Sequence, residues 1–297
     1  MQGKRAGRGI ALLESMMATM KKILLPTDFS ERSAGTALHA KLFAHKLGAE
    51  LVVLHVIPPF PIPEVFDAAE ILEASKARGW SRLNGMYSDN GFRPQRLVVE
   101  GDPAEAIVKY ANEHKVDFIM MPTAGRSVRR CLLGSVTAKT LHDAECPVWT
   151  TAHIADNNGH SPALPKQIVC AVDPDSGGER VIRWAVDLAE TFGSRLTVVH
   201  ALPHLQCEPA VYYLSADLRR YSTGRSRERI SAILSQTARP ATEIVVDAGP
   251  VANIVRSVAE ERKAELVVIG RSQSGNGGIG ANSYTLIREA PCPVVSI

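Results

Sequence analysis

The chain of 297 residues lacks several features that assign a protein to a class at once. Its five cysteines are odd in number and contain no C-x-x-C pair, which argues against a disulfide framework and a structural zinc site and favours reduced thiols in a cytosol. No apolar run approaches the roughly 20 residues that cross a bilayer. With 34 basic and 31 acidic side chains, the net charge of +3 is too balanced to indicate nucleic acid or a membrane surface as a partner.

The remaining composition is typical of a soluble globular protein, with 45% hydrophobic and 22% charged residues. The length is sufficient for two domains, each with a core of its own. The first 19 residues have a basic start and a short apolar run that Glu14 interrupts. A signal peptide is one interpretation of this segment, and a disordered extension or an upstream start codon is the one we favour.

The chain repeats itself about 145 residues further on. The stretch KILLPTDFS from Lys22 aligns without a gap with QIVCAVDPD from Gln167, and the halves end alike in GSVTAKTLHDAECPVW and GANSYTLIREAPCPVV. A duplicated unit of this size predicts two copies of one fold, packed as a built-in pair. The predicted parts are an extension at 1–19, a first domain at 20–151, a linker at 152–165 and a second domain at 166–297.

Short apolar runs alternate with helical patterns in both halves. This alternation predicts, for each copy, a doubly wound α/β domain with a five-stranded parallel sheet. The predicted strands are 22–26, 51–56, 96–99, 117–121 and 147–150, then 168–172, 196–200, 242–246, 265–269 and 293–297. Gly48 and Gly193 are predicted to end the first helix of each copy, and Pro103 and Pro250 to open the third.

Ligands of such sheets bind beyond the carboxyl ends of the strands, where the strand order reverses, so the turns after strands one and four matter most. The first of these turns reads PTDFS from Pro26. Asp28 at the end of strand one is able to accept hydrogen bonds from the amine or hydroxyl groups of a ligand, or it simply caps the following helix. No G-x-G-x-x-G follows, so the dinucleotide fingerprint is absent.

The loop after strand four runs from Met121 to Gly134 and contains Gly125. Gly134 and Ser135 stand where the last helix begins, and the free N–H groups and dipole of a helix start are suited to holding a phosphate. Three arginines of this loop either add positive charge or lie in solvent: Arg126, Arg129 and Arg130. The corresponding GNGGIG segment of the second copy, 275–280, is either an anion cradle or a flexible turn, and we favour the turn.

Two further residue types recur in both copies without indicating chemistry. His55 and His200 end strand two, but no partnered nucleophile recurs beside them, so we predict structural histidines held by hydrogen bonds. Cys146 and Cys292 each precede a proline before the last strand, and they are predicted to be small buried residues rather than reactive thiols.

The PTDFSE segment after strand one, the LHVI of strand two and the GR, LLGSVT and CPV segments near the end of the first copy resemble the universal stress protein family. The resemblance covers nearly the whole chain, at 20–150 and again at 166–297, as in a tandem member. It implies two Rossmann-like domains of the adenine nucleotide alpha hydrolase-like type. It also implies ATP binding, with the adenine near the strand-one Asp and the phosphates in a loop patterned G-x2-G-x9-G-[ST].

The nucleotide contacts that this resemblance implies in the first copy are Thr27, Asp28, Val56, Met121, Gly125, Gly134, Ser135 and Val136. A weaker second set is implied in the second copy: Val172, Asp173, Ala201, Gly270 and Gly280. Both loops depart from the pattern, since Pro122 replaces a glycine and removes an N–H, and Ala281 replaces a hydroxyl residue. We expect ATP, with Mg²⁺, mainly in the first copy.

Three functions follow as hypotheses. The leading one is a cytoplasmic, stress-linked regulatory module that binds an adenine nucleotide. The second is a nucleotide-free protein-interaction module with eroded phosphate loops, and the third is a slow ATPase, although no base or metal-binding carboxylate is found beside the phosphate loop. The last strands, 147–150 and 293–297, are predicted to pair within the chain as a pseudo-dimer that is able to form further homo-oligomers. No nucleic acid or membrane partner is expected.

Overall fold

The computed structural model describes residue 17 and residues 20–61, 67–87, 91–123, 133–151, 163–202, 212–239, 241–271 and 280–297. Apart from Met17, the predicted extension at 1–19 lies outside the described residues, as does the greater part of the predicted linker, 152–162. No helix within the described ranges is both long and apolar enough to cross a membrane.

Both copies have the predicted alternation of strands and helices. The first copy consists of β1 (Lys22–Pro26), α1 (Glu31–Leu47), β2 (Glu50–Ile57), α2 (Ala68–Gly85), β3 (Gln95–Glu100), α3 (Pro103–Glu113), β4 (Phe118–Pro122), α4 (Ser135–Asp143) and β5 (Val148–Thr151). The second consists of β6 (Gln167–Ala171), α5 (Gly178–Phe192), β7 (Arg195–Leu202), α6 (Tyr212–Leu234), β8 (Glu243–Ala248), α7 (Val251–Glu261), β9 (Leu266–Ile269), α8 (Ala281–Glu289) and β10 (Val294–Ser296). The strands begin and end within two residues of their predicted bounds.

The strands form one continuous sheet in the order β3-β2-β1-β4-β5-β10-β9-β6-β7-β8. All neighbours are parallel except β5 and β10, which are antiparallel with Trp149 opposite Val295. Each copy therefore contributes a five-stranded parallel half, and the predicted pairing of the two last strands is confirmed. Pairing them removes two sheet edges that would otherwise offer unpaired backbone groups.

The two faces of the sheet carry separate cores, and each core extends through both copies. Helices α1, α2, α5 and α6 cover one face and α3, α4, α7 and α8 the other. Aromatic rings join the copies on the first face: Phe43 lies 4.9 Å from Trp149 and 4.7 Å from Phe192 of the second copy, between ring centroids. Phe118 likewise lies 6.1 Å from Trp184. The two copies thus share the hydrophobic core of each face rather than merely touching.

The first helix of each copy ends as predicted. Gly48 (φ 64°) and Gly193 (φ 69°) both adopt the left-handed conformation, and their N–H groups bond to carbonyls of the last helical turn. A side chain would be strained in that conformation, which is why glycine is favoured at this position.

The third helices differ at their starts. Pro103 is the first residue of α3, as predicted, with the Asp102 side chain accepting a hydrogen bond from the N–H of Glu105. In the second copy Pro250 is the N-cap and α7 begins one residue later than predicted, at Val251. Asp102 precedes Pro103 in the first copy, whereas Gly249 precedes Pro250 in the second. Glycine has no side chain to cap a helix, so α7 is not fixed to start at Pro250.

Three cysteines of the described residues are unpaired thiols: Cys146, Cys170 and Cys292. Burial raises the pKa of Cys146 to about 11 and that of Cys292 to about 12, so both thiols stay protonated at neutral pH. Both are therefore inert packing residues, as predicted, although Cys146 is only half-buried.

Candidate functional site

The candidate sites lie at the carboxyl ends of the strands in each half of the sheet, where the strand order of that half reverses. In the first copy this point is between β1 and β4, which are hydrogen-bonded neighbours, and in the second it is between β6 and β9. Thr27 and Asp28 follow β1 directly, Val172 and Asp173 follow β6, and Gly270 follows β9. The fold thus brings the predicted residues of each copy to one edge.

Asp28 does not itself cap α1, which corrects the capping alternative. The N-cap is Ser30, whose hydroxyl oxygen accepts a hydrogen bond from the N–H of Ser33. Asp28 accepts bonds from the N–H of Ser30 at 2.9 Å and from the hydroxyl of Ser33 at 2.5 Å. The exposed carboxylate therefore orients the helix start from two residues before the N-cap.

The two histidines have the predicted structural role. The ring Nδ1 of His55 bonds to the carbonyl oxygen of Thr27 at 2.9 Å, and that of His200 bonds to the carbonyl of Val172 at 2.9 Å. Each bond ties the end of strand two to the turn after strand one. The same contact in both copies holds the turn that carries the candidate aspartate.

The last helix of each copy begins with a glycine in extended backbone conformation. Gly134 has φ −66° and ψ 146°, and Gly280 has φ −63° and ψ 155°. Within the described ranges no side chain caps either helix. The N–H of Gly134, however, donates to the carbonyl of Thr123 at 3.0 Å, so one of the amides predicted to face a phosphate is already engaged.

A cavity of about 1120 Å³ opens at the carboxyl edge of the second copy. Its lining includes every residue of the second predicted set: Val172, Asp173, Ala201, Gly270 and Gly280. Arg225 and Arg229 of α6 line it as well, and Arg229 forms an ion pair with Asp175 of the strand-one turn. The cavity thus combines the carboxylates of Asp173 and Asp175, an uncapped helix start and the guanidinium groups of Arg225 and Arg229.

Gly178, the first residue of α5, allows this helix to approach the turn after β6 very closely. A Cβ at this position would lie 2.4 Å from the backbone oxygen of Asp173, which is closer than real Cβ atoms come to backbone. The same place in the first copy holds Ser33, whose hydroxyl binds Asp28. The two turns are therefore built differently although their sequences align.

Comparison with known proteins identifies the family. The sequence model of the universal stress protein family matches residues 19–151 and 165–297. The chain belongs to the universal stress protein family. Two copies of the domain in tandem account for nearly all of its length.

Relatives of this tandem universal stress protein include proteins of both one and two domains. Universal stress protein Rv2005c of Mycobacterium tuberculosis is 25% identical over 303 residues, which cover 92% of this chain and 95% of the relative. Universal stress protein MJ0531 of Methanocaldococcus jannaschii is 33% identical over 135 residues, covering 43% of this chain and 79% of the relative. A solved universal stress protein of Archaeoglobus fulgidus superposes with a TM-score of 0.69 at 23% identity, over 95% of this chain and 97% of that one, and shows the shared fold.

Some predicted site residues of this universal stress protein cannot be placed. Gly125 and the three loop arginines fall within 124–132, outside the described residues, as does most of the GNGGIG segment, at 275–279. Of the first predicted set, Thr27, Asp28, Val56 and Met121 lie at the carboxyl edge, and Gly134, Ser135 and Val136 form the start of α4. The prediction that the first copy is the main site therefore stays a prediction.

Sequence reasoning missed the contribution of α6 to the second site. The alternation of strands and helices predicts a helix between strands two and three of the second copy. It does not indicate which residues the side chains of that helix contact. The signal was present, since Arg225 and Arg229 are four residues apart and thus share one face of a helix. That face lines the cavity of this universal stress protein.

Burial of two histidines predicts how the stability of this universal stress protein depends on pH. Burial lowers the pKa of His39, on α1, and of His55 below the ordinary value of 6.5. The unfolded chain then binds more protons than the folded one as the pH falls below about 6.5, so the free energy of unfolding decreases. We expect urea unfolding to show a constant stability above about pH 7.5 and a decline towards pH 5.5.

The variant His39→Gln should reduce this decline, because it removes one of the two groups that resist protonation when folded. The exposed Leu38 on the same helix has no titratable group, so Leu38→Ala provides the control and should leave the slope unchanged. A stability that rises as the pH falls through this range would contradict the interpretation.

Proposed function

We propose that this tandem universal stress protein binds an adenine nucleotide at the carboxyl edge of its sheet and acts as a stress-linked regulatory module. The second copy is proposed as the principal site. One observation carries this choice: the cavity of about 1120 Å³ is lined by all five residues of the second predicted set, together with Arg225 and Arg229 of α6. Membership of the family supports the stress-linked role.

The residues of this cavity fit a nucleotide. Ligand pockets commonly measure about 300–1,000 Å³, so the volume is sufficient. Asp173 offers carboxylate oxygens for the amine or hydroxyls of a nucleoside, and its Oδ1 already accepts the N–H of Asp175 at 3.0 Å. The uncapped start of α8 at Gly280 and the Arg225 guanidinium both favour an anion.

Magnesium would enter together with the nucleotide. The described residues contain no group of three His, Cys, Asp or Glu side chains suited to holding a metal ion. Mg²⁺ is commonly bound through substrate phosphates and one or two carboxylates, and Asp173 and Asp175 are the carboxylates that line the cavity.

The first copy is a second candidate for the same function, with the contacts that the sequence implies. The hydrogen bond from Gly134 to Thr123 leaves fewer amides for a phosphate there. A cytoplasmic location is proposed because the described cysteines are unpaired, as expected in a reducing compartment. Further association of the pseudo-dimer into homo-oligomers is also proposed.

Paired glycine variants test which copy binds ATP. Both Gly134 and Gly280 have extended backbone angles that valine adopts freely. The variants Gly134→Val and Gly280→Val therefore add a side chain at the proposed anion position without requiring a new backbone conformation. In titration calorimetry with ATP and Mg²⁺, we expect Gly280→Val to weaken binding at least about tenfold, about 1.4 kcal/mol, and Gly134→Val to have little effect.

The opposite pattern would return the main site to the first copy. The absence of any heat from the unmutated protein at millimolar ATP, together with no nucleotide in mass spectrometry of the purified protein, would favour the nucleotide-free interaction module. Release of phosphate during the titration would instead revive the slow ATPase hypothesis.

A further inference from the structure

One face of α6 presents an aromatic ring and a cation to the cavity of the second copy. Tyr221, Arg225 and Arg229 recur at intervals of four residues and all line the cavity, with Ser222 and Ser226 beside them. Tyr221 is 65% exposed, so its ring is accessible from the cavity that it lines. Within the part of the chain that the structure describes, no hydrogen bond or ion pair engages Arg225.

The first copy lacks this arrangement. Leu83 of α2 and Ile230 of α6 are both fully buried under the same face of the sheet, so the two helices can be aligned at these residues. In this alignment Arg78 corresponds to Arg225. Arg78 bonds back onto its own helix, to the carbonyl of Ala74 at 3.3 Å and the hydroxyl of Ser75 at 3.5 Å. Ala74 itself takes the place of Tyr221, so these two positions of α2 offer neither the ring nor an available guanidinium.

An exposed aromatic ring beside a guanidinium suits a nucleotide base joined to a phosphate. Bases stack on aromatic side chains regardless of their identity, because each base has a π-face, and arginine binds phosphate oxygens with paired donors. The cavity exceeds the usual range of about 300–1,000 Å³ for a single small ligand. The Tyr221 ring is therefore available beyond the groups proposed for one mononucleotide, and Arg225 lies between this ring and Arg229 along α6.

We propose that the cavity of the second copy accepts a dinucleotide, that is, two nucleosides joined through phosphates. One nucleoside occupies the Asp173 end, the bridging phosphates reach Arg225, and the second base stacks on Tyr221. This inference rests on the proposed nucleotide binding and extends it to a ligand class. Arg229 stays paired with Asp175 and so lies at the Asp173 end of the cavity.

Calorimetry with two probes, ATP and a diadenosine tetraphosphate, tests this proposal on the full chain. We expect the dinucleotide to bind at least about tenfold more tightly than ATP, because stacking of a base on an aromatic ring is worth about that factor or more. Tyr221→Ala should remove the advantage while changing ATP binding less than about twofold. Tyr221→Phe, which keeps the ring, should retain the advantage.

Two further variants separate charge from packing. Arg225→Gln should weaken the dinucleotide and reduce the salt dependence of its binding, whereas Arg78→Gln at the matching position of the first copy should change neither. If ATP binds but the dinucleotide binds no more tightly, or if Tyr221→Ala weakens both ligands equally, the dinucleotide proposal is wrong and nucleotide binding stands. If neither ligand binds, both proposals fail.

Discussion

Replacing Phe43 by alanine is expected to lower the free energy of unfolding by about 4 kcal/mol, the largest effect of any variant considered. Phe43 is completely buried, and its ring contacts Trp149 of its own copy and Phe192 of the other at centroid distances of 4.9 and 4.7 Å. Alanine would leave a cavity that the paired strands β5 and β10 prevent from collapsing. Urea denaturation monitored by tryptophan fluorescence measures the loss.

Leu38 on the same helix provides the control for this variant. It is 49% exposed, so Leu38→Ala should cost less than about 1 kcal/mol. Because Phe43 joins the two copies, the native protein should unfold in one transition, whereas Phe43→Ala should bring the two halves towards separate transitions. Equal losses for the two variants would show that the junction between the copies contributes little to stability.

Replacing Arg271 by alanine should cost about 3 kcal/mol, since a buried charged donor is removed from several carbonyls at once. Arg271 follows β9 of the second copy and reaches the carboxyl end of α4 in the first. Its guanidinium donates to the carbonyls of Leu141 (3.4 Å), Ala144 and Cys146. Burial lowers the pKa of this guanidinium from its usual value, which reflects how far it is removed from water.

Thr123 occupies the position of Arg271 in the first copy. Its replacement provides a control in which the free energy of unfolding should not decrease. Its hydroxyl is buried without a hydrogen-bond partner among the described residues, so Thr123→Val should be neutral or stabilising. Arg271→Lys should restore only part of the loss, because an ammonium group cannot span several carbonyls as the planar guanidinium does. If Arg271→Ala unfolds at the same urea concentration as the native protein, this cap between the copies has no energetic role.

The repeat made most of the fold predictable. Continuous apolar runs located the buried strands, and β1 has its predicted bounds because Pro26 and the polar residues after it end the run. The alignment of the two copies also predicted that β5 and β10 pair, since each last strand would otherwise leave an exposed edge. The start of α7 was misplaced by one residue, because the residue before the proline, Gly249, decides which position is the cap.

The site was less predictable, for physical reasons that lie in three dimensions. The aspartate pattern located the edge of the sheet, but the hydroxyl of Ser30, and not Asp28, caps the helix, and only the backbone geometry distinguishes the two. The polar face of α6 carries too little hydrophobic periodicity to show which side meets the cavity, so Tyr221 and Arg225 went unnoticed. The close approach of α5 to Asp173 at Gly178 likewise becomes visible only in three dimensions.

Amide hydrogen exchange on the intact chain, with and without saturating ATP and Mg²⁺, tests the proposed site most directly. Binding in the second copy predicts slower exchange at the start of α8, at residues 280–283, and in the turn at 172–176, with the start of α4 unchanged. Slower exchange confined to residues 134–137, or none at either helix start in a protein that demonstrably binds ATP, would contradict the account.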